Sequence, residues 1–214
     1  MDGLQQGLGD QARPGVPGMK GHLRRTSGFT LIELMVTIVL LAILTMLAMP
    51  SFMTWINNNK VRTVSDSLQN GLRFAQSEAL RRSRPMVFSL TNSSAPQTSL
   101  TAVANGSNWS INVSKSSLDA NNVFVQAGVL TDVASGVQIT GPAAICFNAM
   151  GRVVANTDTD VNGASCDTAS VLQTYDVTLT PGADRPLRVL VALGGQIRMC
   201  DPARKLSDSP DGCP

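Results

Sequence analysis

At 214 residues, 4% aromatic and a formal charge of +2, the chain has room for one domain, or one domain plus an accessory element, and little material for an aromatic-rich core. The charge comes from residues 1–28, where Arg13, Lys20, Arg24 and Arg25 outweigh Asp2 and Asp10; from Phe29 onward 13 basic residues meet 13 acidic ones, which excludes a global electrostatic case for nucleic acid. The only histidine, His22, lies in the same opening stretch, so the remainder excludes a Ser-His-Asp or Cys-His centre and any His-ligated metal.

Residues 1–19 are rich in Gly, Pro and Gln without apolar periodicity, and Met19 is a candidate for the true start. Residues 29–49 then read FTLIELMVTIVLLAILTMLAM, with Glu33 the only charge. About 20 such residues cross a bilayer core as a helix. Arg24 and Arg25 just before the run place the N-terminus in the cytoplasm and send the rest outward. A secretory signal would be cut after a shorter apolar region. Here the small residue Gly28 precedes the run, and a cut there removes the basic leader while keeping the helix.

Beyond Pro50 the helical pattern resumes. Val61, Val64, Leu68, Leu72, Ala75 and Ala79 form one stripe, with Arg62, Asp66, Arg73 and Glu78 off it. Arg81 and Arg82 suit a helix C-terminus, and Pro85 disfavours helix at Arg84. One helix over 30–82 would run roughly 80 Å. Pro50 lacks a backbone donor and is placed to kink or locally melt it.

After Pro85 the period shortens to two. Strands are predicted at 86–90, 109–113, 123–126, 137–140, 144–148, 174–180, 186–193 and 196–199, separated by Asn, Gly, Ser and Pro clusters. Residues 91–107 read as a long loop, and Gly194-Gly195 as a tight hairpin turn. The fold class is α+β, a long helix packed on an antiparallel sheet.

Cys146, Cys166, Cys200 and Cys213 all fall in the last third, an even number without a close Cys-x-x-Cys pair, which favours two disulfides over zinc. Three pairings are possible. Cys146 with Cys166 and Cys200 with Cys213 are the local choice and cost the least closure entropy. The segment 201–212, with Pro202, Pro210 and Gly212, would fray untethered.

The segment RRTSGFTLIELMV resembles the signal of type IV prepilins and pseudopilins. That resemblance implies that a prepilin peptidase cuts after Gly28 and methylates the new amine of Phe29. Gly28, Phe29, Thr30, Leu31, Glu33 and Pro50 agree with its pattern. An acid inside a spanning helix costs a few kcal/mol and so marks function by default. In the family, the carboxylate at the Glu33 position pairs with the N-terminus of a neighbouring subunit during assembly. FAQSEALRRSRPM, ICFNAMGRV, RVLVALGGQIRMCDPA and DGCP, in that order, resemble the GspH/FimT/FimU group of minor pilins and H-type minor pseudopilins. The resemblance implies a cytoplasmic leader over 1–28, a membrane helix over 29–49, the periplasmic half of the helix over 50–84 and a β-rich domain over 85–214.

It further implies a single-pass inner-membrane protein with no cofactor or metal. Its partners would be lipid, the peptidase, other minor and major pilins or pseudopilins, and an inner-membrane assembly platform. The leading expectation is a minor subunit that helps initiate or prime a type IV pilus, with an H-type pseudopilin of type II secretion as the alternative. Some FimT-like members bind DNA through a C-terminal Gly-Arg-x-Arg. Here the matching residues are Gly195, Gln196, Ile197 and Arg198, so the first arginine is missing. Arg198 and Arg188 are the candidate DNA contacts, diluted by Asp184, Asp201, Asp208 and Asp211. An enzyme is not expected, since there is no Gly-x-Ser-x-Gly elbow and no recognisable carboxylate pair.

Overall fold

A computed structural model describes residues 28–115, 123–168 and 172–214. The chain divides after Leu44 into two compact units, and helix α1 (Leu31–Arg82) begins in the first and ends in the second. At its start Thr30 is the N-cap. Its carbonyl accepts from Leu34 N at 3.1 Å, and its hydroxyl accepts from Glu33 N at 3.3 Å. At its end Ser83 takes a left-handed conformation (φ 51°), Ser83 N donates to Leu80 O and Arg84 N donates to Ala79 O. Those two bonds form a Schellman stop, and Pro85 follows it.

Pro50 does not melt the helix, contrary to the reading of the proline alone. The α1 assignment runs through it, at the loss of one backbone donor. The Pro50 carbonyl accepts from the Thr54 hydroxyl at 3.2 Å.

The described residues of the second unit form ten strands. They are β1 (Met86–Thr91), β2 (Asn108–Val113), β3 (Val123–Gly128), β4 (Gln138–Thr140), β5 (Ala144–Phe147), β6 (Val153–Val154), β7 (Leu172–Thr178), β8 (Leu187–Ala192), β9 (Ile197–Lys205) and β10 (Gly212–Cys213). The fold is α+β, as expected, but the strands form two five-stranded sheets instead of one. Their orders are β3-β2-β1-β5-β6 and β10-β9-β8-β7-β4. All pairs are antiparallel except β9 with β10, which is parallel.

The main core joins both sheets to one face of α1. Val61, Val64, Leu68, Leu72, Ala75 and Ala79 meet Phe88, Ile111 and Phe147 from the first sheet and Tyr175, Val177, Val189 and Val191 from the second. Period-two alternation on β1 sends Phe88 and Leu90 into that core and Val87 to the opposite face. There Val87 packs with Ala102, Ala144, Cys146, Val161, Ala164 and Cys166, so connecting loops cover the outer face of the first sheet. This explains why β1 and β2 are buried at every residue.

Glu78 corrects the sequence reading, which set it off the buried stripe. Its side chain is only 9% exposed. Arg81 grips the carboxylate through Nε and Nη2 at 2.8 and 2.7 Å, and Arg82 Nε adds a bond at 2.6 Å. Partners three and four residues on supply countercharge from the same helix, so burial is tolerated. Chiefly through the hydrogen bonds from Arg81 and Arg82, the carboxyl is lowered to a pKa of about 2.

Candidate functional site

Three groups of residues carry the functional expectations. The first is the start of α1. Every residue over 28–53 is exposed, including Phe29 at 83% and Leu47 at 74%. The helix is long and apolar enough to cross a membrane, and its apolar window is wholly unburied. A core helix would be covered, so this surface is built for lipid or for other helices. Glu33 sits at the third helical position, where a carboxylate faces the positive end of the helix dipole. Thr30 was missed as a contributor, although the Thr-x-x-Glu spacing of a capping box was legible.

The second group is the polar stitching that fixes the packed half of α1. Gln76 Nε2 donates to Gly151 O and Gly195 O, both at 2.8 Å. Both glycines have left-handed backbone (φ 72° and 92°), and they meet where a Cβ on Gly195 would come within 2.2 Å of Gly151 O. Gly195 closes the β8–β9 turn, as Gly194-Gly195 suggested. Further along the helix, Asn58 Oδ1 accepts from the backbone N–H groups of Asp184 and Arg185 at 3.1 and 3.2 Å, while Asn58 Nδ2 donates to Asp184 Oδ1 at 2.6 Å. Asn57 Nδ2 donates to Gly182 O at 3.2 Å. These side chains hold the β7–β8 turn on the helix.

The third group is the C-terminal cysteine and arginine cluster. Cys146 is bonded to Cys166 and Cys200 to Cys213, with Cα separations of 5.7 and 5.1 Å. All four are buried, and the first bridge ties the loop over 155–168 onto β5. The second closes the tail. Arg198 Nη2 donates to Pro210 O at 3.2 Å and Gly212 O at 2.8 Å, so this arginine serves the same closure. Arg188 Nε and Nη2 fork onto the Asp176 carboxylate at 2.5 and 3.0 Å across the β7–β8 pair. Both candidate DNA contacts therefore commit donors within the fold. Arg204 bridges Asp201 and Asp211 at 3.6 and 3.0 Å. The Asp211 carboxyl is held below the usual range, first by a hydrogen bond from the Ser209 hydroxyl. Among the described residues no cluster of metal-ligating side chains forms.

An exposed apolar helix leading into a packed half-helix and a β-rich domain, with a methylation signal at its head, defines a type IV pilin-like protein. That signal is the prokaryotic N-terminal methylation motif, matched over residues 23–49. The chain belongs to the family described as type II transport protein GspH, whose model matches residues 64–195. This is a family of structural pilins. No curated protein matches the sequence. Among solved structures, the chain is similar to the type IV minor pilin FimU of Pseudomonas aeruginosa strain PAO1 in two crystal forms. One is 16% identical, with 68% of this chain and 92% of that chain covered and a TM-score of 0.46. The other is 14% identical, with 67% and 94% covered and a TM-score of 0.45.

Proposed function

We propose that the protein is a minor pilin that helps initiate or prime a type IV pilus. Its leader is cut after Gly28, Phe29 becomes the methylated N-terminus, and the helix sits in the inner membrane with the β-rich domain in the periplasm. The carrying observation is the exposed, largely apolar surface over 29–49, whose one charged residue is Glu33. A helix satisfies its own backbone in lipid, so this segment is stable there before assembly and against like helices afterwards. The prepilin peptidase meets it first, then other pilins and the assembly platform.

Glu33 is the residue we assign to subunit alignment, through a neighbouring α-amine. Attraction in a low dielectric is offset by desolvation, so the pair fixes register more than it adds stability. An H-type minor pseudopilin of a type II secretion system is the second reading, favoured by the description of the matched family. DNA capture through Arg188 and Arg198 has less support, because a phosphate would have to displace Asp176 and the tail carbonyls.

Mass spectrometry of the membrane-extracted protein should find Phe29 as the first residue, with one added methyl. An intact leader after normal expression refutes the reading. Deleting the gene should remove surface pili and leave secreted proteins unchanged; the reverse outcome assigns the protein to secretion. Glu33→Val should insert in the membrane as well as the parent and fail to restore pili. Full restoration refutes the alignment role.

A further inference from the structure

Beyond Met49 the helix stays apolar for more than another turn. Phe52, Met53 and Trp55 are each more than half exposed, and the Phe52 and Trp55 rings stack with centroids 5.9 Å apart. No Asp, Glu, Lys or Arg occurs between Glu33 and Lys60. A bilayer core takes about 20 helical residues, which, counted from Leu34, are used up near Met53. Trp55 then falls in the interfacial layer, where tryptophan is favoured.

Beside Trp55 the second unit has a groove of about 800 Å³. Its charged lining is Arg62 and Arg185 against Asp184, Asp201 and Asp211, with the Asp184 carboxylate already accepting from Asn58 Nδ2, and the apolar Leu187 and Met199 lie beside them. Asn58 brings Arg185 there by binding the backbone of the β7–β8 turn. Arg185 is exposed, and its guanidinium has no partner among the described residues. Arg62 pairs with Asp66 at 3.8 Å with both side chains well exposed, an arrangement that exchanges at little cost. Among the described residues Asp201 and Asp211 share one ion-pair partner, Arg204, and otherwise accept from the neutral donors Ala203 N and the Ser209 hydroxyl, so the pair keeps a net negative charge.

We propose that this groove holds the headgroup of an amine-bearing phospholipid from the periplasmic leaflet. The phosphate meets Arg185 and Arg62, the primary ammonium meets Asp201 and Asp211, and the acyl chains run along Phe52 and Trp55. A lining of both signs selects a headgroup of both signs. A phosphatidylglycerol brings the phosphate without a cation and faces two carboxylates. A phosphatidylcholine brings a cation with no N–H to donate, so it loses the charge-assisted bonds. This inference rests on the membrane-anchored reading of the helix.

The test places the full chain in nanodiscs with equal parts of phosphatidylethanolamine, phosphatidylglycerol and phosphatidylcholine, then counts lipids retained on release by native mass spectrometry. One phosphatidylethanolamine should be retained about tenfold over either competitor, as expected for a free-energy difference of a charge-assisted bond. Arg185→Glu should abolish retention. Asp211→Asn should keep a bound lipid and lose the preference for ethanolamine over choline. Both variants should match the parent in disulfide content and thermal unfolding. Equal retention of all three lipids, a preference for phosphatidylglycerol, or undiminished ethanolamine binding by Arg185→Glu overturns the proposal while leaving the anchor intact. Failure of the parent chain to enter nanodiscs overturns both.

Discussion

Trp109 occupies a slot bounded by two glycines, and adding a methyl group to each should have unequal consequences. A Cβ on Gly128, in β3, would lie 2.4 Å from Trp109 Cε2 and 2.5 Å from Nε1. Ordinary carbon contacts need about 3.5–4.0 Å, so the indole would have to retreat by more than 1 Å. Its place is fixed by contacts on several sides. Its Nε1 donates to Ser67 Oγ at 3.2 Å, its ring stacks on Phe88 at 5.7 Å, and a Cβ on Gly71 would already stand 3.1 Å from its edge. Overpacking costs about 1–3 kcal/mol, and losing the indole hydrogen bond adds about 1 kcal/mol. Gly128→Ala should therefore destabilise by about 2–4 kcal/mol. Gly71→Ala meets a milder contact and gains up to about 1 kcal/mol of helix propensity, so it should fall within about 1 kcal/mol of the parent. Denaturant unfolding of the chain in detergent, followed by near-ultraviolet circular dichroism of the buried Trp109, measures both. In a Trp109→Leu background the Gly128→Ala penalty should shrink by at least about half. Equal penalties for the two glycines, or an unchanged penalty without the indole, would refute the slot.

Glu78 has a folded pKa of about 2 against an ordinary 4.5, so its contribution is complete above about 4.5 and is lost as pH falls towards 2. Glu78→Gln should flatten that part of an acid unfolding curve, and superimposable curves would remove Glu78 from the account. Tyr175 Oη is buried and has no hydrogen-bond partner among the described residues, so Tyr175→Phe should hold or raise stability by about 1 kcal/mol in a thermal melt. A loss greater than about 1 kcal/mol would mean that the hydroxyl is satisfied. Replacing Cys200 and Cys213 together by serine should cost about 2–4 kcal/mol through the loop they close. A non-reducing peptide map should find Cys146 linked to Cys166 and Cys200 to Cys213, and a link from Cys146 to either C-terminal cysteine would overturn the pairing.

The buried stripe of α1 was legible because a 3.6-residue period needs no knowledge of its partner. Most strands were legible too, since apolar runs between Gly and Asn clusters are local signals. What escaped depends on distant chain. Val153–Val154 is too short to carry a pattern, and β9 continues past Met199 through Asp201, Pro202, Ala203, Arg204 and Lys205, a polar run that reads as tail. Beyond Cys200, β9 has left the register with β8 and has only β10 beside it, and so tolerates the proline. The split into two sheets is a property of pairing, which no single segment encodes. The burial of Glu78 and the tail-holding task of Arg198 escaped for a related reason. A charged residue reads as solvated until its partner is known, and Arg198 binds carbonyls that any sequence would supply.

The Asn58 clip spans 126 residues, and the stripe on α1 is covered by strands as late as β9, through Ile197. During synthesis the helix is therefore finished long before anything exists to close over it. From Val61 to Ala79 an apolar seam stays open until most of the chain has been made, and the helix can dock only when the β7–β8 turn arrives. Long-range closure of this kind is slow and leaves sticky surface exposed meanwhile. The interval between synthesis and docking is therefore one in which the chain is open to aggregation. A factor that shields the seam during that interval would raise the yield of folded protein.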